Sequence, residues 1–147
     1  MEAKKIQFDD GVKTYSVNGR CEISFNPIDD VFIHELTDHL AALKSIYEFG
    51  EAESRKAGDD VEAQYKLAQQ RVKKVRAEID GIFGAGVPAK VLGKNPCAVS
   101  GGIPIWMHFL LAVMEIVDEE ITEAGKEQND AFKKYEEKFR KYSRGVK

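Results

Sequence analysis

Cysteine is scarce in this chain. Only Cys21 and Cys97 occur among 147 residues, and neither belongs to a CxxC pair. A disulfide framework therefore has no support, and both thiols read as small apolar residues of a protein from a reducing compartment. Charge of one sign is also lacking. Twenty-two Lys and Arg stand against 25 Asp and Glu, a net charge of −3. That balance speaks against a non-specific nucleic-acid binder. Long hydrophobic runs are missing too. The longest, IPIWMHFLLAVMEIV at 103–117, is interrupted by His108 and Glu115 and is too short to cross a bilayer. The start, MEAKKIQFDDG, has no apolar h-region behind its charges, so no signal peptide is expected. There is no internal repeat and no low-complexity segment. The expectation is a cytoplasmic protein with no membrane and no nucleic-acid partner.

What remains is the composition of an ordinary globular domain, 43% hydrophobic and 32% charged. Its first 26 residues carry strand punctuation. KKIQF alternates and ends in Asp10-Gly11; VKTYSV ends in Asn18-Gly19; RCEISF follows. Asn-Gly suits a two-residue type I′ turn, because both positions tolerate positive φ. Cys21, Ile23 and Phe25 then share one face. A small antiparallel meander is expected, and it must lie on something to be stable.

Helices follow. Asn26 is a candidate cap with Pro27 at the first helical position. Ile28, Val31, Phe32, Leu36, Leu40, Leu43 and Ile46/Tyr47 recur at three-and-four spacing, predicting a helix from about 28 to 49 that Gly50 breaks or weakens. Asp59 or Asp60 caps a second helix to about residue 83, with a narrow stripe of Val61, Tyr65, Ala68, Val72, Val75, Ile79 and Ile82. Such a stripe suits an antiparallel helical hairpin. A last helix begins near Ser100 or Gly102, with Pro104 in its first turn, and no proline interrupts it to the end. Unbroken, its roughly 40 residues reach about 60 Å, so either Gly125 breaks it or its end projects.

The fold class is thus α+β, mostly α, in a single domain 1–147: a β-meander or hairpin at 1–26, a helical core at 27–124, and a basic, possibly projecting helical tail at 125–147.

Candidate chemistry is thin. In FIHELTDHL (32–40), His34 and His39 are five apart and diverge by about 140° on an ideal helix, whereas a zinc-peptidase helix needs them at i and i+4. His34 with Asp38, or Glu35 with His39, supplies two ligands, and two do not make a site. Cys97 and His108 as nucleophile and base lack a third, orienting group. Residues 79–97, IDGIFGAGVPAKVLGKNPC, resemble a phosphate loop at first sight, with Lys90 among the glycines. The spacing fails: Gly86 to Gly93 is too long, Asn95 stands where Ser or Thr should, and a helix rather than a strand precedes. A corner fits better. Gly84 stops helix two, Val87–Leu92 makes a short turn of helix, Gly93 stops it, and Phe83, Val91 and Leu92 anchor it. The final block is charge-polarised. Residues 115–130 hold seven acidic residues against Lys126; residues 131–147 hold seven basic ones against Glu136 and Glu137. This is either a solvated helix with favourable dipole placement or an arm, striped by Phe132, Tyr135, Phe139 and Tyr142, that docks a partner.

The segments YSVNGRCEISFNPIDDVFIHEL and DGIFGAGVPAKVLGKNPC, separated by a helix pair and followed by an apolar helix, resemble the tail assembly chaperones of siphophages and prophages of Gram-positive hosts. The likeness spans roughly residues 12–120. Its most specific parts are Phe25-Asn26-Pro27 with Asp29/Asp30, and the pair Phe83-Gly84 and Leu92-Gly93, where the family more often has an aromatic before the second glycine. The resemblance implies a non-enzymatic factor of the bacterial host cytoplasm without metal or cofactor. It would bind the tape-measure protein and tail-tube protein during tail morphogenesis and self-associate. The alternative is a structural tail-completion or connector component kept in the virion. The partner-binding residues expected are Ile105, Trp106, Phe109 and Val113 on the apolar helix, and Phe132, Tyr135, Phe139 and Tyr142 on the tail.

Overall fold

The structure is a computed structural model and describes residues 2–145. It is mostly helical. Strands β1 (Lys13–Val17) and β2 (Cys21–Phe25) precede helices α1 (Asp30–Ala57), α2 (Val61–Phe83) and α3 (Val87–Leu92). A minute hairpin of β3 (Val99–Ser100) and β4 (Ile103–Pro104) leads into α4 (Ile105–Gly145).

β1 and β2 pair antiparallel, with Val17 opposite Cys21 and Tyr15 opposite Ile23. Asn18 and Gly19 both have positive φ, 52° and 67°, as the type I′ turn requires. Ile23 and Phe25 are buried and Cys21 is half-buried. The meander stops at two strands. Residues 2–10 form no strand, and Ile6 and Phe8 are 88% and 79% exposed. The Asp9 and Asp10 carboxylates accept from Gly11 N and Val12 N (2.9 and 3.0 Å), turning the chain just before β1. Two apolar residues offer too little burial to hold a third strand against that turn.

Asp29, not Asn26, caps α1: its Oδ1 accepts from Val31 N at 3.0 Å. Asn26 Oδ1 accepts from Ile28 N (3.1 Å) and shapes the turn before it. Gly50 does not stop the helix, which runs on to Ala57 and ends at Gly58 (φ 58°). The apolar stripe ends near Tyr47, but EAESRKA is made largely of good helix formers and needs no core to continue. Gly50 instead allows close approach: a Cβ there would lie 2.7 Å from Arg71 Nε on α2. Across the turn, Gln64 Nε2 donates to Ser54 O (2.8 Å) and Gly58 O (2.9 Å), tying the two helix ends together.

Asp60 caps α2 through Ala63 N (3.2 Å), as expected. The stripe of α2 is confirmed at Val75, Ile79 and Ile82 but not at its start, where Val61 and Tyr65 are exposed. The Gln64 clamp fixes the rotation of that first turn and presents Ala63, Gln64 and Leu67 inward instead.

The corner forms as predicted. Gly84 (φ 105°, ψ 163°) and Gly93 (φ 73°, ψ −152°) occupy a region open essentially to glycine alone. Asp80 serves the stop twice: its carbonyl accepts from Gly84 N (2.7 Å) and its Oδ1 from Gly86 N (3.2 Å). Pro88, Val91 and Leu92 are buried. Lys90 Nζ donates to Glu22 O on β2 (2.7 Å), so the lysine of the supposed phosphate loop fastens the hairpin to the corner.

α4 begins later than expected, at Ile105. Gly101 and Gly102 (φ 59° and 88°) turn the β3–β4 hairpin, and the first helical N–H groups are satisfied by backbone carbonyls: Ile105 N to Ala98 O (2.8 Å) and Trp106 N to Pro96 O (3.1 Å). The core gathers all these elements. A run of rings, Tyr15–Phe25–Phe32–Phe83–Phe109, crosses from the hairpin through α1 and α2 to α4 with centroid separations of 4.8 to 5.8 Å.

Candidate partner-binding surface

α4 has two halves of different character. In the first, Trp106, Phe109, Leu110, Val113 and Val117 are buried. The apolar run 103–117 read from the sequence therefore supplies the residues that close the domain. Phe109 stands 5.4 Å from Phe83, centroid to centroid. Trp106, Phe109 and Val113, expected at a partner interface, are core residues of the folded chain, and Ile105 is half-buried beside them. Periodicity showed an apolar face but could not say that α2 and the hairpin already cover it.

The second half is an arm. Gly125 does not break the helix, so 41 continuous residues run about 60 Å and outreach the body. Phe132, Tyr135, Phe139 and Tyr142 all lie on the arm and are 57% to 70% exposed. Their spacing of three and four keeps them on one face. Tyr135 and Phe139 stack at 6.2 Å and 19°, and Phe132 meets Tyr135 at 6.1 Å. The rings shield one another only in part, leaving an exposed aromatic strip along the arm.

At the base of the arm lies a feature that the sequence did not disclose. Ile28, from the loop before α1, joins Ile121, Ala124, Gly125 and Ala131 of α4 around an open groove of about 770 Å³, flanked by Asp30 and Glu127. Ile28 and Ile121 are 42% and 49% exposed. The long sequence separation of Ile28 from α4 hid the groove. Nearby, Lys13 Nζ reaches Glu120 Oε2 at 2.5 Å and ties β1 to α4.

The histidines of FIHELTDHL each meet carboxylates. His34 Nε2 is 3.1 Å from Asp38 Oδ2. His39 Nε2 is 3.3 Å from Glu35 Oε2, and its Nδ1 is 2.5 Å from Glu78 Oε2 on α2. Among the described residues no three His, Cys, Asp or Glu side chains are grouped to hold a metal ion. His108 Nε2 donates to Ser100 O at 2.6 Å and so folds back on its own hairpin. Burial pushes the Cys97 thiol up from its usual range, against a smaller downward pull from Arg71 and Arg76. No described helix is long and apolar enough to cross a membrane.

Comparison of the chain with protein-family models, with characterised proteins and with solved structures gives no match. The functional reading rests on the arm, the groove and the resemblance of the two sequence segments.

Proposed function

We propose that this chain is a binding protein of phage tail morphogenesis, an assembly chaperone that covers apolar helical segments of the tape-measure protein and brings in tail-tube subunits. Its place would be the cytoplasm of the bacterial host, and its work non-enzymatic. The observation that carries this reading is the arm: four exposed aromatic rings on one face of a projecting basic helix. An amphipathic helix meets another by laying such a face along it, with anchors at three-and-four spacing. Aromatic rings give large contact area at little conformational cost. The segments FNPIDD and FGAGVPAKVLG, which carry the family resemblance, build the turn into α1 and the corner, so they support the fold and leave the arm to do the binding.

The test is co-expression of the full chain with a tape-measure protein and, separately, with a tail-tube protein, followed by co-purification. The expected result is a complex that Phe139→Ser with Tyr135→Ser weakens at least tenfold while the circular dichroism of the chain is retained. Absence of binding to both tape-measure and tail-tube proteins overturns the reading. Mass spectrometry of purified virions decides against the alternative of a retained connector or completion protein if the chain is absent from them.

A further inference from the structure

Charge along α2 is one-sided. Residues 63–77 hold five basic side chains and no acidic one, in a chain whose net charge is −3. Tyr65, Val72 and Arg76 of that stretch follow one another at seven and four, so they share one face of the helix. Across from them, Lys94 and Cys97 of the loop after α3 close a groove of about 420 Å³, which Arg71 and Lys73 also border. Its walls thus carry four cations and no carboxylate. Among the described residues, none of the four has a carboxylate within 4.0 Å. The two arginines are held in place. Arg76 Nη2 donates to the carbonyls of Gly93 and Lys94, and Arg71 Nη2 donates to Gly50 O on α1 (3.3 Å). Burial raises the Cys97 thiol and these arginines pull it back, so their field reaches the far wall.

We propose that this groove docks a short acidic segment of a partner protein, with its carboxylates toward Lys73, Arg76 and Lys94 and an apolar side chain between Tyr65 and Val72. Charge complementarity selects the partner. Length fits it: Tyr65 and Arg76 are eleven residues apart, about 16 Å along the helix axis. Roughly five residues of extended chain cover that distance. A single phosphate fits less well. The amides of Cys97 and Ala98 in the loop wall are spent on Asn95, so they hold the loop's own turn and not an anion. The four cations follow the groove, so carboxylates spaced along a chain can each meet one. The apolar floor and the net negative chain favour a peptide over a nucleic-acid backbone. The site uses no residue of the arm, and so it stands or falls separately from the proposed function.

The experiment uses the full chain and a fluorescein-labelled synthetic peptide of Glu and Ser with one central Leu. Anisotropy at low salt, with the chain at up to about 200 µM, should show saturable binding. Lys73→Glu with Lys94→Glu should weaken it about tenfold. Both lysines are exposed, so the variant should fold, and its helicity and melting temperature check that. The same variant should gain affinity for the peptide with Lys in place of Glu, an exchange that a merely structural effect does not produce. Lys133→Glu with Lys138→Glu, on the arm, should change binding by no more than about twofold. Absence of binding by the intact chain overturns the proposal. A larger loss in the arm variant than in the α2 variant overturns it too and moves the acidic peptide to the arm. Displacement of the peptide by inorganic phosphate at about 1 mM, or tighter binding of a single-stranded oligonucleotide of matched charge, overturns it in favour of a phosphate ligand.

Discussion

The His39 ring on α1 lies directly against the bare α-carbon of Gly81 on α2. A Cβ at Gly81 would fall 2.5 Å from His39 Cε1, closer than real contacts allow. Both ring nitrogens are engaged, one by Glu35 of the same helix and one by Glu78 of the next. The glycine thus costs helix propensity and gains the room that lets a polar cluster join the two helices.

That relationship sets the first prediction. Alanine is favoured over glycine in a helix interior by roughly 1 kcal/mol. In the intact chain, Gly81→Ala should not stabilise, because the ring must leave its carboxylates. In a His39→Ala background the same change should stabilise by about 1 kcal/mol. Urea unfolding of the four chains measures the coupling. Equal gains in both backgrounds would show that the ring yields without cost.

The corner between α2 and α4 depends on two glycines in conformations that other residues adopt only under strain. Gly84→Val and Gly93→Val should each cost about 1–3 kcal/mol. Nothing lies within 4 Å of a Cβ built at either position, so the loss comes from the backbone and not from a clash. Thermal melts followed by Trp106 fluorescence read it. Unchanged melting temperatures in both variants would refute this account of the corner.

Leu110 and Phe139 lie on the same helix, about eight turns apart. Leu110 is 1% exposed, so Leu110→Ala should destabilise by about 2–5 kcal/mol. Phe139 is 61% exposed on the arm, so Phe139→Ala should stay within about 0.5 kcal/mol when measured at dilution. The same substitution should nevertheless weaken binding through the arm. A large stability loss at Phe139 would mean that the arm folds back on the body.

Cys97 offers a chemical check. Its thiol is pushed up, chiefly by burial, so less of it is thiolate at neutral pH than in an exposed cysteine. Alkylation by iodoacetamide at pH 7.5 should be slower in the native chain than in urea, and should speed up as pH rises. Faster reaction of the native thiol would reinstate a nucleophile paired with His108.

Much of the local architecture was legible in the residues. Asn18-Gly19 announced its turn, and the alternation of Cys21, Ile23 and Phe25 announced the buried face of the hairpin. Asp60 capped α2 as read, and Gly84, Pro88 and Gly93 marked the corner. These are rules of backbone sterics and of hydrogen bonds within a few residues, and they hold before any packing exists. The reading failed where the deciding partner was distant. Gly50 looked like a stop and is instead a point of contact with Arg71. Val61 and Tyr65 looked like core, but the Gln64 clamp turned them outward.

The sequence by itself therefore determined the first hairpin, the helices, their order and the polarity of the last helix. Tertiary structure alone decided which apolar face was already taken. A 3.6-residue period states that a helix has a face and is silent about what covers it. Trp106, Phe109 and Val113 found Phe83 and its neighbours; Phe132, Tyr135, Phe139 and Tyr142 did not, because the unbroken α4 carried them past the end of the body.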